Sequence, residues 1–149
     1  MNDINIRQGT IRDVNRVSRL WFDAIKEANP DSNPNIDWWR AFVNLFLQQN
    51  PDFHLWVLEI DGMIHGFCNF FMIAEPLTGQ VHAIGQNIYI SPEYRNTKAV
   101  FLLYKTFLKD VKSLGATVID ISCSIDGYER EMFKRKGYKE VEVKLRKQL

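Results

Sequence analysis

The chain has 149 residues, 46% hydrophobic and 13% aromatic, which argues against disorder and suffices for one packed domain over residues 1–149. With 19 basic and 18 acidic side chains the net charge is +1, so no global basic excess points to nucleic acid. No apolar run approaches the ~18 residues of a membrane span, and the opening M-N-D-I-N-I-R has no apolar targeting core. The expectation is a cytoplasmic protein that binds neither nucleic acid nor membrane.

Ile4, Asn5, Ile6 and Arg7 alternate and predict a short first strand. Thr10 with Asp13 three residues on has the form of a capping box, and Val14, Val17, Trp21, Ala24 and Ile25 follow at helical spacing, predicting a helix over 11–27. The Asn- and Pro-rich run 29–35 is a loop by composition. A second helix is expected over 36–48, with Trp38, Trp39, Phe42, Val43 and Phe46 on its apolar side. Strands over 53–60 and 63–73 flank Asp61-Gly62, a strong hairpin turn because glycine accepts positive φ. After a looser turn at 76–79, a third antiparallel strand is expected over 80–90.

Ser91-Pro92 stops that strand, Arg95 places a cation in the following turn, and a helix over about 97–113 carries apolar residues at 100, 103, 107 and 111. A strand ending where a helix begins gathers free backbone N–H groups and a positive dipole end, an arrangement suited to phosphate or pyrophosphate. Gly115 ends the helix, a β-branched strand is expected over 117–124, and a short helix over 128–136 ends at Gly137. A last strand is expected from Val141, Val143 and Leu145 alternating with Glu140, Glu142, Lys144 and Arg146. The order β-α-α-β-β-β-α-β-α-β implies an α+β fold, a mixed and mostly antiparallel sheet flanked by helices. Strands 80–90 and 117–124 would be parallel neighbours in a right-handed crossover, with ligands favouring their carboxyl ends.

Residues 134–149 hold seven basic side chains against Glu140 and Glu142. They read as a solvated face and a lysine-guarded edge strand, or as an attractor of an anionic ligand. Cys68 and Cys123 both lie in apolar runs and are expected as buried free thiols, and with no spaced histidines they make no metal site.

Element order together with E-I-D-G-M-I-H-G-F at 59–67, I-Y-I-S-P-E-Y-R at 88–95 and F-K-R-K-G-Y at 133–138 resembles the GNAT N-acetyltransferase superfamily, which uses acetyl-CoA. The P-E-Y-R turn and the Gly115-Ala116 helix end resemble its divergent phage and prophage members. The resemblance implies that Ile88, Tyr89 and Ile90 offer backbone groups to the pantetheine arm as to an added strand. It also implies that the main chain of Arg95, Asn96, Thr97, Lys98, Ala99 and Val100 wraps the pyrophosphate. The family loop Q/R-x-x-G-x-G/A reads R-N-T-K-A-V here, so Lys98 and Val100 stand where small residues are usual. Lys98 either places a cation beside phosphate or points to solvent, and Ala99 serves as the small residue if the loop is shifted by one. Phe133 stands where the family often has a tyrosine that protonates the leaving thiolate; Tyr128 and Tyr138 are the nearby alternatives.

Acetyl transfer to an amine needs a proton acceptor and a donor for the thioester oxyanion, the latter a backbone N–H near Ile90. Gln86, where many relatives carry Glu, cannot act as a base. The candidates are His82 and His65 on strands, each otherwise a packed or solvent-facing residue, and Asp120 in an apolar strand, either functional or structurally hydrogen-bonded. Glu75 and Glu93 read as solvated turn residues, and Asp126 as a helix cap. The aromatic set from Trp21 to Trp56 reads mainly as core, while Glu27 and Asp31 near the 28–35 loop are compatible with an amine acceptor. The implied partner is a small-molecule or peptide amine, bound by a monomer or homodimer. Two functions follow: an acetyl-CoA-dependent N-acetyltransferase, or a catalytically weak or inactive binding or structural protein of that fold, of a phage-related kind.

Overall fold

A computed structural model describes residues 2–123 and 128–149, with the side chains of Gln86 and Tyr128 outside that description. Its elements are β1 (Ile4–Gln8), α1 (Val14–Ala28), α2 (Ile36–Gln49), β2 (Phe53–Ile60), β3 (Met63–Ala74), β4 (Val81–Ile90), α3 (Lys98–Ser113), β5 (Val118–Ile121) and α4 (Tyr128–Arg135). Single 3-10 turns at Ile11–Asp13 and Pro92–Tyr94 lead into α1 and α3. The strands form one sheet in sequence order, antiparallel from β1 to β4 and parallel between β4 and β5. The expected α+β architecture is present.

Alternation along the strands divides the core into two layers. Phe53, Leu55, Val57 and Phe67 face one way and bury Val14, Val17 and Leu20 of α1 and Trp39 and Val43 of α2. Leu58, Cys68, Phe70 and Ala83 face the other way and bury Ala99, Leu103, Phe107 and Val111 of α3. Phe67 and Phe70 are fully buried on opposite faces of the same strand, so β3 is the spine shared by both layers. The hairpin turn forms as expected, with Asp61 and Gly62 both at positive φ, 51° and 81°.

Three expectations are corrected. Among the described residues the last strand is not formed: residues 136–149 carry no helix or strand beyond the turn after α4, and Val141, Val143 and Leu145 are 81%, 78% and 89% exposed. Alternation sets which side chains would share a face, but a strand also needs a hydrogen-bonding neighbour, and this segment has none among the described strands. β5 is shorter than expected, ending at Ile121, and Cys123 therefore lies beyond it and is exposed, unlike the buried Cys68.

The start of the fold is fastened by charge. Arg7 donates from Nη1 and Nη2 to the two oxygens of Asp13 at 2.8 and 2.9 Å and from Nε to Glu59 at 2.9 Å. Asp13 also accepts the Thr10 backbone N–H at 2.8 Å, completing the capping box. One guanidinium thus joins β1, β2 and the entry to α1. The hydrogen bond from Arg7 is the main cause that lowers both carboxyls, Asp13 and Glu59, below their ordinary range. A lowered carboxyl contributes stability above its unfolded value and loses it as pH falls through the folded one. Asp13→Asn should therefore cost about 1–3 kcal/mol in urea unfolding at neutral pH. The difference from wild type should shrink on acidification, and a pH-independent difference would show that the charge is not what matters.

Candidate functional site

β4 and β5 pair over four residues only, from His82↔Val118 to Gly85↔Ile121, and then part. On its other side β4 stays paired with β3 up to Gly66↔Ile90, across a register shift that passes over Gln86. The Ser91 N–H donates to the His65 carbonyl at 2.8 Å, which makes 91/65 a hydrogen-bonded pair and, by antiparallel alternation, 89/67 another. The backbone groups of Ile88 and Ile90 consequently point away from β3, into the gap left by β5. Arg95 Nε occupies the Ile90 carbonyl at 2.8 Å. Among the described residues the Ile88 N–H and C=O and the Ile90 N–H have no strand partner, an edge of the kind an extended chain can pair with.

The gap leads to the N-terminus of α3. Thr97 caps that helix, its hydroxyl accepting the Ala99 N–H at 3.2 Å and donating to the Tyr94 carbonyl at 2.7 Å. The Arg95 and Thr97 N–H groups close the preceding turn onto Pro92 and Tyr94. Among the described residues the N–H groups of Asn96, Lys98 and Val100 have no backbone partner, so three donors stand at the positive end of a helix of 16 residues. Ala99 is fully buried in the α3 layer, while Lys98 is exposed. The small residue of this loop thus serves packing, and the cation faces solvent at the mouth.

Two cavities meet at the gap. One of about 150 Å³ is lined by Ala24, Ile25 and Ala28 of α1 together with Asn87, Cys123 and Glu129. The other, about 50 Å³, is lined by Ile90, Arg95, Val100 and Met132. Both touch Ile88, Tyr89, Glu129 and Phe133. Since α1 covers one face of the sheet and α3 the other, the parted strands open a passage through the sheet. Phe133 is 5% exposed and packs against Tyr138 and Tyr104, whose hydroxyls are 2.9 Å apart. Burial, and then the Tyr104 hydrogen bond, push the Tyr138 hydroxyl up, so it stays protonated at neutral pH. Neither Glu129 nor Tyr104 stood out in the sequence: one lies in a polar helix and the other on the flank of an apolar stripe.

Arg95 lines the smaller cavity and reaches across to α1. Its Nη1 and Nη2 donate to the two oxygens of Glu27 at 2.5 and 2.6 Å, and its guanidinium carbon lies 5.2 Å from the Tyr89 ring centre. Arg95 in turn holds the Glu27 carboxyl below its ordinary value.

The other sequence candidates lie elsewhere. His82 Nδ1 and Asp120 Oδ2 are 2.7 Å apart across β4 and β5, both partly exposed. Asp120 is thus hydrogen-bonded, and among the described residues the His82 Nε2 is buried without a partner. His82 is six residues before Ile88, about 20 Å along an extended strand. Pairing Ile73↔His82 and Phe71↔Ile84 puts it on the face covered by α1 and α2, where Phe71 meets Phe46. His65 packs on Tyr94 with Glu93 at 3.9 Å. The Tyr128 side chain and Asp126 lie outside the described residues. No helix among the described residues is long and apolar enough to cross a membrane, and none of their His, Cys, Asp and Glu side chains cluster as a metal site.

The profile of the acetyltransferase (GNAT) family matches residues 15–138. No curated protein matches the chain. Among solved structures, a predicted acetyltransferase with acetyl-CoA from Clostridium acetobutylicum superposes with a TM-score of 0.83 at 18% identity, covering 98% of this chain and 96% of that one. A possible acetyltransferase from Clostridium difficile 630 gives 0.79 at 13%, covering 98% and 97%. The aminoglycoside N-acetyltransferase AAC(6')-Iy in complex with CoA gives 0.80 at 16%, covering 100% and 96%. At these identities the superpositions speak for the fold alone.

Gly66 is what lets β3 lie close to the site strand. A Cβ there would come within 2.9 Å of the Tyr89 carbonyl oxygen and 3.1 Å of the Ile90 and Leu58 side chains. Gly66→Ala should therefore displace β4 at Tyr89 and cost about 1–3 kcal/mol in urea unfolding. Wild-type stability in that variant would mean the β3–β4 spacing is loose.

Proposed function

We propose, from the premise that the chain belongs to the GNAT acetyltransferase family, that it moves an acetyl group from acetyl-CoA to an amine by direct attack. The observation that carries this reading is the unpaired edge of Ile88 and Ile90 running into the open N-terminus of α3. The pantetheine arm carries amides and suits such an edge, and the diphosphate suits the donors at the helix mouth. Ile88, Tyr89 and Ile90 hold the arm. The main chain of residues 95–100 holds the diphosphate, with Lys98 adding a point charge. Neighbours of this fold with acetyl-CoA and with CoA support the same cosubstrate.

The amine nitrogen attacks the thioester carbonyl, the Ile90 N–H steadies the oxyanion, and the C–S bond breaks to release the CoA thiolate. A thiol of ordinary acidity, with a pKa of about 8.5, leaves without a dedicated acid, which suits a site where Phe133 has no proton to give. The amine's proton goes to water or to a carboxylate. Glu129, which lines both cavities, is nearer to Ile88 than His82 is, and the His82–Asp120 pair serves as a base only through intervening water. An acceptor entering from the α1 side meets the thioester through the larger cavity. That neighbours of the fold include aminoglycoside acetyltransferases supports a small amine as acceptor.

A second reading, a catalytically weak or inactive binding or structural protein of this fold, is favoured by Val100, which lines the smaller cavity where the family usually has a small residue. Calorimetry with CoA and acetyl-CoA separates the readings, and no heat at millimolar ligand would sink the enzyme reading. Release of CoA thiol in the presence of amines then separates enzyme from binder. Lys98→Glu should weaken CoA by about 1–3 kcal/mol through reversed charge at the helix mouth, and unchanged affinity would put the diphosphate elsewhere.

A further inference from the structure

The two halves of α1 are held differently. Its buried residues, Val14, Val17, Ser18 and Leu20, all lie in the N-terminal half. The C-terminal half presents Ala24, Ile25 and Ala28 to the larger cavity, where there is little to grip. Glu27 sits between those cavity-lining residues, and its carboxylate takes both terminal nitrogens of Arg95, while Arg95 Nε holds the Ile90 carbonyl. One planar fork therefore fastens the last turn of α1 directly to the end of β4. Lys26 bonds the carbonyls of Pro30 and Ser32 at 2.6 and 2.9 Å, so the loop after α1 is carried with that turn.

We propose that the Arg95–Glu27 ion pair is the tie that sets how far α1 stands from the parted strands, and so the width of the entrance on the α1 face. An exposed ion pair usually contributes little, but a bidentate fork fixed at a third point has the geometry that sets a distance. Lysine cannot reproduce it, because its ammonium is a single point charge on a flexible stem. Under the acetyl-transfer reading, on which the substrate part rests, this is a specificity device. A cavity of about 150 Å³ is the size that takes a slender alkyl arm or a single small ring, so it admits the amine end of an acceptor carried on either. Arg95 and Glu27 are positioning residues in this scheme, since they set the entrance without touching the reacting atoms.

Cys123 is already exposed, so the reporter is Ala24→Cys in a Cys123→Ser background, which puts a thiol on the partly buried α1 wall of the same cavity and serves as the wild-type reference, while the other thiol, Cys68, is 1% exposed. Labelling should be followed with methyl methanethiosulfonate and with a polymer-linked maleimide, and the modified peptide identified by mass. Glu27→Gln, Arg95→Met and Arg95→Lys should each speed the bulky reagent at least fivefold relative to the small one, and the double variant should be no faster than either single. The charge-swapped Glu27→Arg/Arg95→Glu pair should return the rate to within twofold of wild type. Unchanged rates, additive rates, or a swap that fails to restore protection would overturn the tie. Label at Cys68 marks unfolding in a single variant, and the swapped pair then decides. Glu27→Gln should leave CoA affinity within threefold. A tenfold tightening would instead mean that freed Arg95 serves the phosphates, which also overturns the proposal. If wild type binds no CoA, the acetyl-transfer reading fails while the labelling still judges the tie.

Discussion

The site depends on the parting of β4 and β5 after four residue pairs. A sheet with no further neighbour for β4 would normally leave a simple edge. Here the edge is internal, walled by α1 on one face and by α3 and α4 on the other. Backbone groups in such a place must find partners, and among the described residues those on Ile88 and Ile90 that point into the gap pair with neither β3 nor β5. The register shift past Gln86 also matters. It turns the side chains of the last four β4 residues over, so that Tyr89 lies with the α1 layer and Ile88 and Ile90 with the α3 layer.

Charge is used sparingly around this gap. The guanidinium of Arg7 binds the start of the chain to its second strand, and that of Arg95 binds the end of α1 to the end of β4. In both, one arginine fork serves two or three acceptors on different elements, a task suited to its fixed planar donors. The consequence at the site is that Arg95, the cation nearest the loop in sequence, has its fork turned to a carboxylate and a carbonyl. The positive end of α3 is then formed by peptide dipoles and the exposed Lys98.

Much of the scaffold was legible in the chain because it rests on local chemistry. The Thr10–Asp13 box, the Asp61-Gly62 turn and the Thr97 start of α3 are each set by residues within three or four positions of one another. The periodicities of α1, α2 and α3 and of β2 to β4 were readable because each has one apolar face. The last strand is not formed among the described residues for the complementary reason: Val141, Val143 and Leu145 alternate, but alternation does not supply a partner strand. Cys123 was misread because the end of β5 is set by where it stops pairing with β4, not by its own apolar run.

The sequence by itself determined the order and type of nearly all the elements, the family, and the strand–turn–helix that a phosphorylated cosubstrate would use, since these follow from residue pattern and backbone preference. Only the tertiary structure decided what stands around that loop. Glu27 and Arg95 are 68 positions apart, His82 and Asp120 38, and Tyr104 and Tyr138 34, so no local pattern announces their pairing. The width of the passage between α1 and the parted strands is likewise a distance between separate elements, and it exists only once both core layers have packed.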